Sequence, residues 1–430
     1  MKKPVHAALI IFTILLFSLK ATPQENENLS DTLRKDAAKI FIDCFDCDLN
    51  YIRQQIPYVN YVRDVKEAEV FILVTSQQAG SGGQQFTITF QGSGKFNGMN
   101  DTLVYTSNPD ETNTIIREKK TNLMKMGLMR YVARTPVFNE IEINHNAGLE
   151  QEQVVDRWNN WVFELQTEPQ YESEESSKRL ELRNSVNITK VTPDIKFEIE
   201  LDHFYNREKF IEYEETDTIE STYITNEIFA NNLIVKSLND HWSTGVLLNA
   251  SSSTRENYDF RTEILPSIEY DLFPYSESTH RQLRFLYSIG YQYNNYIDST
   301  IYNKLEDHLA KEVFNIAYQV QEKWGSINLA LIGSNYLNDF SKYRLELGTS
   351  IELRIFKGFS LQIGGGVAYI NDQLNLKKSD ITEAERFLEI RELATRYRIE
   401  GGIGLTYTFG SIYNNVVNPR FGSGTGFHFE

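Results

Sequence analysis

The sequence predicts an all-β membrane barrel of about twelve antiparallel, up-and-down strands behind a small N-terminal α+β domain. Three observations predict it. From about residue 157 onward, segments of roughly ten residues alternate apolar and polar positions with period two. Tight turns alternate with long polar connections along that stretch. Tyr and Phe gather near the segment ends, as in Tyr287 to Tyr293 and Tyr407 to Phe409, where amphipathic rings form interfacial girdles.

The chain opens with Met1, Lys2 and Lys3, followed by the apolar run "AALIIFTILLFSL" and then Lys20, Ala21 and "TPQENENLSD". A basic start, a short apolar core and a small final residue read as a secretory signal peptide over 1–21. The run is shorter than the ~20 apolar residues of a spanning helix. No second run approaches that length, so any membrane crossing falls to strands.

Residues 22–36 are polar and read as a flexible segment. Residues 37–145 read as a compact α+β domain. Its expected elements are strand "KIFID", helix "DLNYIRQQI", strands "YVNYVRD" and "AEVFILVTSQ", a Gly-rich turn "AGSGGQ", strands "QFTITFQGSGKF" and "DTLVYTS", and a helix from about Glu111 to Arg134. That helix puts Ile115, Ile116, Leu123, Met124, Leu128, Tyr131 and Val132 near one stripe, and Pro136 ends it. The glycines lack the Lys-Ser/Thr of a phosphate loop and lie between strands, so they read as a hairpin turn. A linker at 146–156 leads to the barrel at 157–409, and a tail at 410–430 follows.

Barrel strands are expected at about 158–167, 179–191, 195–207, 226–237, 242–252, 262–273, 280–294, 312–322, 325–337, 343–356, 358–371 and 395–409. In "RQLRFLYSIGYQYNN", Leu283, Phe285, Tyr287, Ile289, Tyr291 and Tyr293 alternate with Gln282, Arg284, Ser288, Gly290, Gln292 and Asn294. His203 falls on the apolar face of its strand. The tight connections are "VTPD", "LNDH", "PYSEST", "KWG" and "FKG". The long ones include "EPQYESEESSK", "EKFIEYEETDTIESTYIT" and a final one with the helix-like "SDITEAERFLEIRELA", where Ser379 is a candidate cap. Short turns belong on the periplasmic side. An even strand count puts both chain ends there, together with the N-terminal domain.

The polar positions predict a lumen lined by Lys196, Glu198, Glu200, Asp202, Arg284, Arg344, Glu346, Glu352, Arg354, Arg396, Arg398 and Glu400. Both signs share one face, so mutually neutralising charges fit better than a glycosidase-type pair of carboxylates held at a fixed separation.

At "GLTYTFGSIYNNVVNPRF", residues 404–421, the chain resembles a bacterial family of outer-membrane barrels of unknown function close to the salt-induced outer-membrane proteins. The stretch "IFIDCFDCDLNYIRQQIPYVNYVRDVKEAEVFILVTSQ" resembles the periplasmic part such chains carry. It is similar in layout to the N-terminal domain of TolB and to curli-secretion lipoproteins. The resemblance implies an outer-membrane location. It also implies that Gly404, Tyr407 and Phe409 match the Gly-x-x-aromatic-x-aromatic signal read by the barrel-assembly machinery, although 21 residues of this 430-residue chain follow Phe409.

A net charge of −16 argues against nucleic acid as a partner. The expected partners are outer-membrane lipid, the assembly machinery and a periplasmic protein docking on 37–145. No cofactor or metal is expected. A hydrolase needs a Ser, a His base and an orienting acid or amide. Here His145, His203, His241, His280, His308 and His428 fall in no recognisable Ser/His motif. The functional expectation is a non-enzymatic barrel, either a narrow diffusion channel or a structural and docking protein. An export or assembly component is the alternative, and an outer-membrane hydrolase the second alternative.

Cys44 and Cys47 are the only cysteines. A zinc site would need a second pair or a nearby His. A redox centre would favour a thioredoxin-like arrangement, which the following strands do not suggest. An oxidising compartment favours a disulfide clip between strand and helix. Helical geometry would hold residues three apart too far apart, so the clip requires a non-helical turn at Phe45 and Asp46.

Overall fold

The computed structural model describes residues 34, 36–80, 83–108, 111–142, 158–213, 218–380, 382, 385–386, 388–411, 413 and 415. The signal peptide, the linker at 146–156 and most of the 22–36 segment and of the tail lie outside the described residues, as do His145 and His428.

The N-terminal domain consists of β1 (Lys39–Asp43), α1 (Leu49–Gln55), β2 (Asn60–Tyr61), β3 (Val70–Gln78), β4 (Gln84–Gly92), β5 (Asn100–Thr106) and α2 (Asn113–Val132). The sheet order is β2-β1-β3-β4-β5, with β1 parallel to both neighbours and the rest antiparallel. Thr112 caps α2 by accepting from the Ile115 N–H, and the stripe Met124, Leu128, Tyr131 and Val132 is buried against Ile40, Ile72, Ile88 and Phe90. Tyr131 places its ring edge-on to Phe96 and donates its hydroxyl to the Met99 carbonyl at 2.6 Å, so the buried phenol is satisfied. Two expectations change. The strand expected at "YVNYVRD" contracts to Asn60–Tyr61, and Ile115 is solvent-exposed instead of joining the buried stripe.

The second part is one twelve-stranded sheet: β6 (Trp161–Ser173), β7 (Ser177–Val191), β8 (Ile195–Tyr213), β9 (Thr218–Ser237), β10 (Trp242–Ser253), β11 (Tyr258–Asp271), β12 (Arg281–Tyr296), β13 (Glu306–Glu322), β14 (Gly325–Tyr336), β15 (Asp339–Phe356), β16 (Phe359–Ile370) and β17 (Tyr397–Tyr407). Each strand pairs antiparallel with the next in sequence, an unbroken up-and-down ladder.

Its polarity is inverted relative to a soluble sandwich. Leu165 and Ile403 are 79% and 74% exposed, whereas Gln292 and Asn294 are 1% and 0% exposed. On β12 the exposed Tyr287, Ile289 and Tyr291 alternate with the buried Ser288, Gln292 and Asn294. Apolar side chains facing outward and polar ones inward satisfy lipid outside and a polar interior inside. This is an all-β membrane barrel fold with a small mixed α/β domain in front of it. Among the described residues no helix is long and apolar enough to cross a membrane.

The strands are longer than expected. The loop expected at "EPQYESEESSK" shrinks to 174–176 because β6 and β7 run into it, and β8 reaches 19 residues. About 9–11 residues suffice to cross a bilayer, so the excess projects beyond it. There the ladder is knit by Arg179–Glu208 at 2.8 Å and Lys209–Glu220 at 2.8 Å. Long connections remain at 297–305 and 371–396. Pro266 lies in the interior of β11, and Gly290 of β12 faces the residue before it; a Cβ at Gly290 would lie 1.9 Å from the Ile264 carbonyl oxygen. At the two ends of the ladder, β6 and β17 run antiparallel, and no hydrogen-bonded register joins them among the described residues.

Candidate functional site

The inward face is set by the register. Lys196 on β8 bonds Glu198 at 2.7 Å, and Glu200 accepts from Asn231 of β9 at 3.5 Å; Asp202 shares that face. Arg284 reaches Glu269 at 3.5 Å, Arg398 reaches Glu400 at 3.0 Å, and Arg344 bridges Glu346 and Asp372, both at 3.0 Å. Glu352 lies 3.9 Å from Arg354. Arg396 precedes β17, and its carbonyl accepts from Ile370. Most of these charges form ion pairs with a neighbour of opposite sign, whereas Glu200, Asp202 and Arg396 lie in no ion pair among the described residues. Sequence reading missed Arg183–Glu181 at 2.5 Å and Lys311–Glu263 at 2.7 Å, which the same period-two alternation in β7 and β13 places on this face.

The N-terminal domain lies across the short-turn end. Arg354 of β15 pairs with Asp43 at 2.9 Å and stacks over Phe41 of β1. Lys357 pairs with Glu67, the Gly358 N–H donates to Asp64, and Lys66 donates to the Ile355 carbonyl at 3.1 Å. Lys323, in the β13–β14 turn, donates to Ser93 at 3.3 Å, and burial pushes its ammonium below the usual lysine range. His280, in the β11–β12 turn, lies 3.4 Å from the Thr89 hydroxyl. Gly80 sits so close to the β7–β8 turn that a Cβ there would be 2.2 Å from the Val191 carbonyl oxygen. Contacts to turns spread from β7 to β16 mean that the domain spans the mouth. The glycine read from sequence as turn chemistry also provides close approach to the barrel.

Past β17 the chain returns to this domain. Tyr413 bridges Val62 beside β2, and the Asn415 side chain accepts from the Tyr61 N–H at 2.7 Å and donates to Asn60 at 3.0 Å. Gly404 is on the inner face of β17, while Tyr407 stacks on an exposed Phe409 at 5.6 Å.

At the opposite end the 371–396 connection folds over the interior. Leu374 is buried with Leu309 and Tyr336, Asn375 donates to the Glu256 carbonyl at 2.8 Å, and Arg391 donates to the carbonyls of Lys377 and Ser379, both at 2.7 Å. Burial raises the Glu256 carboxyl above its ordinary range. Of the helix expected from Ser379, the described residues show Glu385 and Arg386 as helical, with Thr382 and Glu385 bonded reciprocally as a capping box, so the cap is Thr382.

The disulfide joins Cys44 and Cys47 with Cα atoms 5.6 Å apart across a non-helical bend. Asp46 within it pairs with the buried Lys120 at 3.1 Å. Asp48 just after it caps α1, and the Tyr51 N–H donated to it holds its carboxyl below the usual carboxylate range. Cys44, Asp46 and Cys47 gather their ligand atoms within 4.8 Å, but both sulfurs are committed to each other. His203, expected on the apolar face, is there: its ring nitrogens meet Asn184 and Asn226, both at 3.1 Å. His241 faces the Asp271 carbonyl at 2.8 Å, and His308 meets the Tyr291 hydroxyl.

Inverted polarity, a charge-paired interior and a domain across one mouth define the class: a barrel of the outer-membrane type whose polar lumen is covered by its own chain. No protein-family model matches the chain, and no curated protein matches it. A solved structure of the NanC porin is similar at 10% identity over 54% of this chain and 98% of that one, with a TM-score of 0.26. The fold assignment rests on the register and polarity above.

Proposed function

We propose that this chain is a narrow outer-membrane diffusion channel, non-enzymatic and held closed at its periplasmic mouth by its own N-terminal domain. The observation that carries the reading is Arg354, an inward-facing lumen residue whose guanidinium is tied to Asp43 of that domain. The polar, charge-paired wall favours a wet interior over a packed one. His203 has both ring nitrogens taken by amides on the outward face, which makes it a structural rather than a basic group in this reading. The experiment is single-channel recording in planar bilayers. The intact chain is expected to conduct rarely, and Arg354→Ala combined with Lys357→Ala to conduct more often. No conductance from either protein in any salt overturns the reading.

One observation favours a second reading, an export or assembly component. The edge strand β5 pairs on one side only among the described residues and exposes Val104, so an added strand from a periplasmic partner fits there. Photo-crosslinking from Val104 in intact envelopes tests it, and capture of no envelope protein counts against it.

A further inference from the structure

A cavity of about 660 Å³ lies between the N-terminal domain and the inner face of the barrel mouth. That is within the range, on the order of 300–1,000 Å³, that holds small-molecule ligands. Four amides line it: Gln77 of β3, Gln282 of β12, and Gln319 and Gln321 of β13. Gln282 donates to Gln319 at 3.1 Å, which orients the pair and leaves further donors and acceptors on both.

The charges that reach the cavity are already engaged. Asp43 and Glu352 lie 2.9 and 3.9 Å from Arg354, and Asp46 holds Lys120 at 3.1 Å. A charged ligand therefore finds no unpaired counter-ion among these groups, whereas a neutral one meets groups that both donate and accept.

Two further features point to a ligand. Thr75 is 7% exposed, lines the cavity, and its hydroxyl has no hydrogen-bond partner. A buried hydroxyl left unpaired costs on the order of 1–3 kcal/mol, so the wall of the cavity at Thr75 carries unmet polarity. Phe45, in the disulfide loop at the rim, presents its whole ring to solvent. The electron-rich face of such a ring attracts the polarised C–H face of a sugar. Beyond Asp43, β3 also outruns β1 from Val74 to Gln78 and lacks a strand partner on that side.

We infer that this cavity binds a short neutral oligosaccharide, stacked on Phe45 and hydrogen-bonded by the glutamine cluster. An extended peptide could use the same β3 edge, but strand addition draws its specificity from alternating side-chain pockets. Amides and hydroxyls make up about half of the lining, beside the ion-paired Asp43, Asp46, Glu352 and Arg354, and Val74 and Phe45 are its large apolar members. The inference holds whether or not the lumen conducts.

The test uses the full chain in a sugar-free detergent, titrated calorimetrically with maltotriose, cellotriose and tri-N-acetylchitotriose. Trigalacturonate and an extended alanine-serine hexapeptide serve as comparators. At least one neutral trisaccharide is expected to bind with Kd of about 1 mM or tighter, and Phe45→Ala and Gln319→Leu each to weaken it by about tenfold. Phe45 is fully exposed, so its replacement leaves the fold intact. Failure of all three trisaccharides, unchanged binding in both variants, or equal binding of either comparator overturns the inference.

Discussion

Arg354 and Asp43 are 311 residues apart in sequence and 2.9 Å apart in space, joining the inner wall of the barrel to the end of the first strand of the N-terminal sheet. Their side chains are 20% and 24% exposed, between the surface and the buried limits for an ion pair. Arg354→Ala is expected to loosen the domain from the mouth by about 1–2 kcal/mol. Protease accessibility of the β1–α1 junction measures this. The charge reversal Asp43→Arg with Arg354→Asp should restore protection, and failure to do so would show that packing on Phe41 outweighs the ion pair.

The cap of α1 carries a pH signature. The folded Asp48 carboxyl titrates below the ordinary carboxylate range, chiefly because it accepts the Tyr51 N–H. Its stabilisation is therefore fully present above the unfolded value of about 3.9 and is lost as pH falls through the lower folded value. Asp48→Ala should destabilise the domain by about 1 kcal/mol at pH 7 and by progressively less in acid, followed by pulse proteolysis in urea.

The Cys44–Cys47 clip closes a very small loop. Replacing both by Ser is expected to lower stability by about 2 kcal/mol in the chain-entropy account. Thiol labelling with and without reductant reports the bond, and an unchanged urea midpoint would mean that the Asp46–Lys120 pair alone holds the bend.

Gly290 and Gly348 separate close approach from mere smallness. Nothing lies within 4 Å of a Cβ at Gly348, whereas one at Gly290 meets the Ile264 carbonyl at 1.9 Å. Gly348→Ala should fold normally, while Gly290→Val should lose heat-modifiable migration on a gel. Equal behaviour would mean that β11 and β12 can move apart at Gly290 without losing the ladder.

In lipid, each unpaired backbone group costs several kcal/mol, so β6 and β17 are under strong pressure to pair. Cysteines at Leu165 paired in turn with Ile399, Ile403 and Leu405 should cross-link in membranes, with one combination dominating. No cross-link from any combination would show a seam that stays open between the two strands.

The twelve strands were legible because alternation survives in every one, as the exposed Ile289 and the buried Gln292 of β12 illustrate. Their outer ends were not, since β8 and β9 continue as ladder into sequence polar enough to read as loop; cross-strand pairs such as Lys209–Glu220 supply there what apolar burial supplies within the membrane. The lumen residues followed from the same alternation. The latch at Arg354, the seat of Gly80 on Val191 and the folding of 371–396 over the interior did not, because each depends on elements brought together from distant parts of the chain and leaves no local pattern.

The contact of Tyr61 with Asn415 spans 354 residues of sequence. Pairing across so long a loop comes late, because the closure entropy is met only after the intervening strands have formed. The N-terminal domain is therefore fastened by residues that follow the last strand, and this fastening closes only once the strands between them are in place. Replacing Asn415 by Ala would leave the wall intact and loosen the domain at β2.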